Sequence, residues 1–377
     1  MSLNAFFTDL GHQAILALFP IFLVLYLHLS VIEYAVITAI SFGGGAFFGY
    51  IGGKAGDRFG YKKTAVLSNL LVPLLSFSGL SVNVFEAASL FSGGWWARCF
   101  RNPARRVMLL KSIFKKEHYG RAFGFLHFLD IGGAFLSALT AAILLSFKFP
   151  IRTIFIFTAV PIIIAIVFLY LSNPLEVKDE KTADAPKSTV DHLNKNVYRK
   201  ILIATSLYGF SAYSFGFPII TVAVSSKDNV LGVFSYAVFL AVSSITGLFV
   251  GKVMAKNVKE LTLGYILGGI GSLGIGLTFA LNLNVAFYFP FIVLSGISMG
   301  FVETLEPTII GLISHERKTG KGMGSLSAMR SLGIFSANII MGLLYIIGAG
   351  YSFAYAGILS IIAGLVVSAV QIHLPTT

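Results

Sequence analysis

Asp9 and His12 stand three residues apart, as do His127 and Asp130. On a helix this spacing sets an acid and an imidazole on one face. Arg98 and Arg101 repeat the interval with like charges, as do Glu303 and Glu306. With Gln13 and Arg330 they make a set of polar and ionisable residues inside long apolar runs. An ionisable group in hydrocarbon costs about 2.5–3.5 kcal/mol, so such residues face a bundle interior and mark a pathway. Three chemistries fit them. They can be ion pairs that brace the fold, with two arginines beside Asp130 in one half and two glutamates beside Arg330 in the other. They can form a proton relay in which Asp9, Asp130 or a glutamate titrates. They can also hold a divalent transition metal, on Asp9, His12, His127 and Asp130. The nearby arginines oppose the metal, because they repel a cation and occupy the acids.

The runs that carry these residues define the class of protein. Of 377 residues, 56% are hydrophobic and 12% charged, about half the charged share of a soluble chain. Mean hydropathy is +0.84. These values exclude a soluble multidomain protein, a disordered chain, a collagen and a disulfide-rich secreted fold. Spanning a bilayer takes about 20 mostly apolar residues, and twelve runs qualify: 3–28, 33–53, 64–82, 86–110, 120–146, 151–172, 198–224, 230–252, 260–281, 284–312, 321–347 and 350–373. The expected architecture is an all-α membrane protein. A charged segment with Pro174 and Pro186 reads as a cytoplasmic linker over 173–197, between an N-terminal six-helix bundle (1–172) and a C-terminal one (198–377). The first run has no basic leader or small-residue cleavage site before it, and reads as a retained helix. Cys99 is the single cysteine, which excludes an intramolecular disulfide and a multi-cysteine metal site. It reads as a small packing residue.

The net charge of +12 would point to nucleic acid in a soluble protein. Here the basic residues lie between apolar runs. With the N-terminus inside, inner segments hold twenty Lys and Arg, and the outer ones only Lys148, Arg152 and Lys227. That asymmetry places both termini in the cytoplasm. At 1.5 Å per residue, the ionisable set lies roughly 9–18 Å from the cytoplasmic helix ends.

An internal repeat supports the division into halves. At an offset of 200 residues, Gly120, Gly124, Leu126, Gly133 and Phe135 recur as Gly320, Gly324, Leu326, Gly333 and Phe335. This pairs the fifth helix with the eleventh, as two parallel related halves around a central site require.

Between the second and third helices stands Gly53-Lys54-Ala55-Gly56-Asp57-Arg58-Phe59-Gly60-Tyr61-Lys62-Lys63. It resembles the G-x-x-x-D-R-x-G-[RK]-[RK] signature of the major facilitator superfamily, in the loop where that family has it. Gly56 and Gly60 can turn such a loop tightly. The resemblance covers the whole chain and implies alternating access between two six-helix halves. It also implies a cytoplasmic gate of Gly53, Asp57, Arg58 and Gly60, in which the Asp57/Arg58 pair latches the halves. The corresponding Gly251-Lys252-Val253-Met254-Ala255-Lys256 lacks the acid, so the latch is one-sided. Within the family, Arg98 to Arg106 and Gly120 to Gly124 look like prokaryotic efflux-type members. Two departures stand out. Arg106 and Lys111 are basic where those relatives carry acids, and Leu136-Ser137-Ala138-Leu139 lacks the proline of the drug exporters' antiporter motif.

The expected function is secondary active transport of a small solute or ion across the cytoplasmic membrane, proton-coupled and leaning to export. Its partners are the substrate, protons and the lipid bilayer, with no cofactor and no nucleic acid, and it works as a monomer. It is not an enzyme: no set of nucleophile and base converges at one depth. The alternatives are a divalent-metal transporter of the same fold and a non-transporting membrane sensor or scaffold.

Overall fold

The computed structural model describes residues 2–112, 118–172, 190–253, 259–313 and 319–368, and the regular structure among them is helical. In the first half these are α1 (Ser2–Ile21), α2 (Val31–Phe59), α3 (Tyr61–Asn69), α4 (Leu74–Phe77), α5 (Val84–Lys111), α6 (Tyr119–Ser146), α7 (Ile151–Phe157) and α8 (Ala159–Leu171). The second half has α9 (Val190–Ser211), α10 (Gly216–Ser226), α11 (Asn229–Val253), α12 (Lys259–Ala280), α13 (Tyr288–Ile313), α14 (Thr319–Ile347) and α15 (Ala349–Ser368). The pairs α3/α4, α7/α8 and α9/α10 are single crossings with a break, which gives the twelve expected spans. Eleven are long and apolar enough to cross a membrane. The twelfth, α5, carries Glu86 and four arginines (98, 101, 105 and 106) along its 28 residues.

Local chemistry sets the helix ends and breaks. Ser30 and Glu33 form a reciprocal capping box that starts α2, and Asn83 caps α5 by accepting from the Glu86 amide, satisfying amides that the first turn leaves open. Pro20 lacks a donor, and the chain widens into a π-turn over Phe22–Tyr26 just after it. At the α9/α10 break, Asn338 Oδ1 accepts from the freed Ser214 amide at 3.0 Å. Irregular backbone at membrane depth needs such a partner.

Two boundaries differ from expectation. The Gly53–Phe59 stretch is not a loop: α2 runs through it to Phe59, and the turn is made at Gly60 alone, at φ +95°. Gly56 serves packing instead, since a Cβ there would meet the Tyr61 ring at 2.7 Å. On the far side of the linker, residues 190–197 are already helical and continuous with α9. A helix can extend beyond its apolar section once it leaves the bilayer. The rest of the expected linker lies outside the described residues.

The glycines of the repeat explain how the halves join. A Cβ on Gly124 of α6 would come within 2.6 Å of Gly247 O in α11, and one on Gly324 of α14 within 3.3 Å of Gly49 O in α2. Gly133 of α6 faces Phe6 O of α1 at 2.3 Å, and Gly333 of α14 faces the Gly209 carbonyl carbon of α9 at 2.5 Å. Gly124 and Gly324 thus bring a helix of one half against a helix of the other, while Gly133 and Gly333 each make a close approach within their own half. Small residues allow this where lipid supplies no hydrophobic drive between helices. Outward faces present large apolar side chains such as Phe47, Leu67, Ile245 and Leu277, all more than half exposed. These are surfaces suited to lipid.

Candidate functional site

The expected residues converge on the interface of the halves, where a cavity of about 350 Å³ lies between α1, α2, α5 and α6 on one side and α9–α15 on the other. Gln13, Arg98, His127, Asp130, Glu303 and Arg330 line it. Asp9, Arg101 and Glu306 stand behind the wall, fully buried, as does His12.

Asp9 sits at the centre of a loose cluster. Its Oδ1 is 3.3 Å from His12 Nδ1 and 3.7 Å from Arg98 Nη2, and has no hydrogen-bond partner. Gln13 Nε2 donates to Oδ2 at a long 3.4 Å. His12 Nδ1 is 2.8 Å from Thr8 O, the geometry of a donor, and Nε2 is buried without a partner. The Arg98 guanidinium lies over the Trp95 ring at 4.8 Å, on the cavity wall.

The other acid–arginine pairs are tighter. Arg105 holds Asp130 with two bonds, Nη1 to Oδ1 at 3.2 Å and Nη2 to Oδ2 at 2.8 Å. In the second half, Arg330 Nη1 donates to Glu303 Oε1 at 2.5 Å and lies 3.6 Å from Glu306 Oε2. Tyr265 donates to Glu306 Oε1 at 2.6 Å. The Glu303–Arg330 pairing is the one the spacing anticipated.

Other expectations need correction. Asp130 pairs with Arg105, not with Arg98 or Arg101. Among the described residues Arg101 meets no acid: it donates to Asn69 Oδ1 at 2.7 Å and Thr8 Oγ1 at 3.0 Å, the neutral partners that α1 and α3 bring to it. His127 does not sit with Asp130 as a pair, because its Nε2 faces Ser243 Oγ of α11 at 3.0 Å. The four proposed metal ligands therefore do not converge, and among the described residues no group of three or more His, Cys, Asp or Glu could hold a metal. Charge compensation is also not confined to each half, since Arg106 Nη2 reaches Glu303 Oε2 at 3.2 Å.

Arg105 and Arg106, which are not among the residues expected at the site, also line the cavity. The signal was present: 98, 101 and 105 share one helical face. Of the other polar residues, Tyr208 and Tyr213 line the cavity, Asn69 and Asn338 are buried helix–helix partners, and Asn282 lies at a turn. Trp95 and Cys99 are on the wall.

Cross-half contacts flank the cavity on both sides. Toward the end of the bundle that carries Gly60 are the Arg106–Glu303 bridge and the approach of Gly124 to Gly251. Toward the other, Tyr34 OH meets Ser214 Oγ at 2.6 Å, and Tyr236 donates to Gln13 Oε1 at 2.7 Å. Asp57 is exposed at the end of α2, where Tyr61 OH donates to its Oδ1. Arg58 is likewise exposed, and Gly53 is buried beside Gly324.

Comparison with known proteins agrees with this architecture. An uncharacterized MFS-type transporter of Methanocaldococcus jannaschii is 25% identical over 336 residues, covering 84% of this chain and 79% of that protein. Among solved structures, a D-xylose–proton symporter superposes with TM-score 0.75 at 12% identity, covering 99% of this chain and 97% of the other. The human organic anion transporter MFSD10 gives 0.71 at 12% identity, covering 97% of each. The E. coli xylose transporter XylE, in a partially occluded inward-open conformation, gives 0.69 at 14%, covering 97% and 93%. The family profile described as Major Facilitator Superfamily matches residues 1–337, and the chain, a multi-pass membrane protein of that fold, belongs to this superfamily.

Proposed function

We propose that this transporter moves a small solute by alternating access and couples it to a proton carried on Asp9. The single observation that carries the reading is the Asp9–Arg98 relationship. A fully buried carboxylate lies 3.7 Å from a guanidinium that faces the cavity, with no hydrogen bond between them. A substrate that draws Arg98 away leaves a buried charge without its partner, which costs several kcal/mol. A proton from the aqueous side neutralises it. Binding and protonation are then linked, as a two-state carrier requires.

The membrane assignment follows the Lys and Arg asymmetry: the Gly60 end faces the cytoplasm of a cell, both termini with it, and the chain works as a monomer. The halves are residues 1–172 and 198–377. The Asp57/Arg58 latch remains part of the reading, as an outer closure beyond the Arg106–Glu303 bridge. The similarity of Arg98 to Arg106 and Gly120 to Gly124 to efflux-type members leans to export, which a carrier that binds solute and proton together performs only where the outward solute gradient exceeds the inward proton gradient.

Proteoliposomes loaded with a pH-sensitive dye provide the test, with gradients of sugars, amino acids, organic anions and organic cations applied in turn. A solute-dependent change of lumen pH that disappears in Asp9→Asn is expected, and its sign under imposed gradients gives the direction. Solute flux in Asp9→Asn that still runs uphill on a proton gradient would refute the coupling role. A chain that moves no solute is a sensor or scaffold.

A further inference from the structure

We infer that the substrate is a small organic anion with an apolar body, bound through Arg98. The inference rests on the transporter reading above and adds the class of its cargo.

Charge decides the sign. Four arginines line the cavity (98, 105, 106 and 330) against two acids, Asp130 and Glu303. Both acids are already occupied: Asp130 by two bonds from Arg105, and Glu303 by one bond each from Arg106 and Arg330. Behind the wall Asp9 lies 3.7 Å from Arg98 and Glu306 3.6 Å from Arg330, so with buried Arg101 five arginines face four acids and the site keeps one positive charge in excess. A cation is repelled there, and a neutral sugar leaves the excess uncompensated. An anion removes it.

Arg98 is the place for that anion. Among the described residues, Arg105, Arg106 and Arg330 each donate to a carboxylate, whereas Arg98 donates to none and its Nε has no partner. Its nearest acid is the one 3.7 Å away behind the wall. Charge-assisted bonds to guanidinium are about twice as strong as neutral ones, and a planar carboxylate can take two at once.

The apolar body follows from the rest of the lining. Phe42, Trp95, Phe215 and Phe239 are on the wall, and Trp95 also stacks under the Arg98 guanidinium. Inorganic phosphate would leave these rings facing water. The volume, about 350 Å³, is at the small end of ligand pockets, which run from roughly 300 to 1,000 Å³.

Binding can be measured on the purified full chain without transport, by quenching of tryptophan fluorescence and by thermal stabilisation. The probes are benzoate, phenylacetate, benzenesulfonate and octanoate, against benzamide, benzylamine and inorganic phosphate. Saturable binding of organic anions is expected, with the amide, the amine and phosphate at least about tenfold weaker. Arg98→Gln should lose the anion preference. Arg98→Lys should keep the preference at lower affinity, which guards against a Gln variant that merely misfolds. Tighter binding of benzamide, benzylamine or phosphate than of every organic anion overturns the inference, as does binding of no organic anion, or an anion preference that survives in a folded Arg98→Gln protein. Anion binding without solute flux would keep this inference and refute the transporter reading. Uphill flux of neutral or cationic solutes alone would do the reverse.

Discussion

Arg106 of α5 and Glu303 of α13 form a bridge of 3.2 Å between the two halves. Glu303 also holds Arg330 of α14, so one carboxylate ties a cation of each half. Such a bridge forms only when the halves approach on the Gly60 side, and it must break if that side opens. Leu110, one turn further along α5, packs against the backbone at Gly311 of α13 and is 4% exposed.

Arg106→Gln should therefore free Leu110 to water more often. With Cys99 replaced by Ala, the one native thiol is gone, and Leu110→Cys reports opening by its rate of maleimide labelling. Loss of one or two kcal/mol of closure corresponds to about a five- to thirtyfold faster rate. An unchanged rate would remove the bridge from the gate.

Arg330 faces two acids and is the nearest cation to Glu306, at 3.6 Å. Glu303 keeps Arg106 if Arg330 is lost, but fully buried Glu306 keeps only the Tyr265 hydroxyl. Arg330→Ala should cost about 3–5 kcal/mol, because it leaves a buried charge unpaired. Adding Glu306→Gln should recover much of that loss, while adding Glu303→Gln should recover less. Unfolding in detergent measures all three, and plain additivity in the Arg330/Glu306 double variant would sink the pairing.

How far the sequence reached can be judged from these same residues. Apolar run length located eleven spans, because bilayer thickness leaves a helix little choice, and it also found α5, whose charges keep it below the apolarity of the others. The repeat located matching glycines, since close approach in a membrane needs them at fixed places. Partner choice was less legible. Arg101 looked like a cation for Asp130, yet Asn69, a residue of another helix, lies nearer its guanidinium. His127 and Asp130 share a face by spacing, but α11 supplies Ser243 to one while α5 supplies Arg105 to the other. Periodicity fixes the face of a single helix and carries no information about which side chain of another helix it will meet. The Gly53–Phe59 motif shows the same limit, since glycines that permit a turn also permit tight helix packing.

Gly132 and Gly133 are adjacent, and their surroundings predict opposite outcomes. A Cβ on Gly132 would have Ser244 Oγ as its nearest neighbour, at an ordinary 3.5 Å. One on Gly133 would fall 2.3 Å from Phe6 O and 3.2 Å from Leu10 N, backbone atoms that cannot swing aside. Gly132→Ala should leave stability within about 0.5 kcal/mol, and Gly133→Ala should cost about 1–3 kcal/mol or more. Gly333→Ala, at the repeat position against α9, should behave like Gly133→Ala. Similar melting of the Gly132 and Gly133 variants would mean that α1 and α6 are not in this contact.

Asp9 and Asp130 differ in how they are held, and that difference assigns their roles. Asp130 has two short bonds from Arg105, so Asp130→Asn leaves a buried guanidinium without its counter-charge. It should lower stability by about 3–5 kcal/mol. Asp9 has one long hydrogen bond and a guanidinium at 3.7 Å, so Asp9→Asn should cost much less and act on coupling. The sign follows from the proposed exchange: substrate takes Arg98, and a proton takes its place on Asp9. Binding then includes proton uptake, so affinity should tighten by up to tenfold per pH unit as pH falls towards the range where free Asp9 titrates, and level off below it. In Asp9→Asn no proton enters, and affinity should be flat with pH. Isothermal titration in two buffers of different ionisation enthalpy counts the proton directly. A proton count that is unchanged in Asp9→Asn would move the coupling role to another acid of the network.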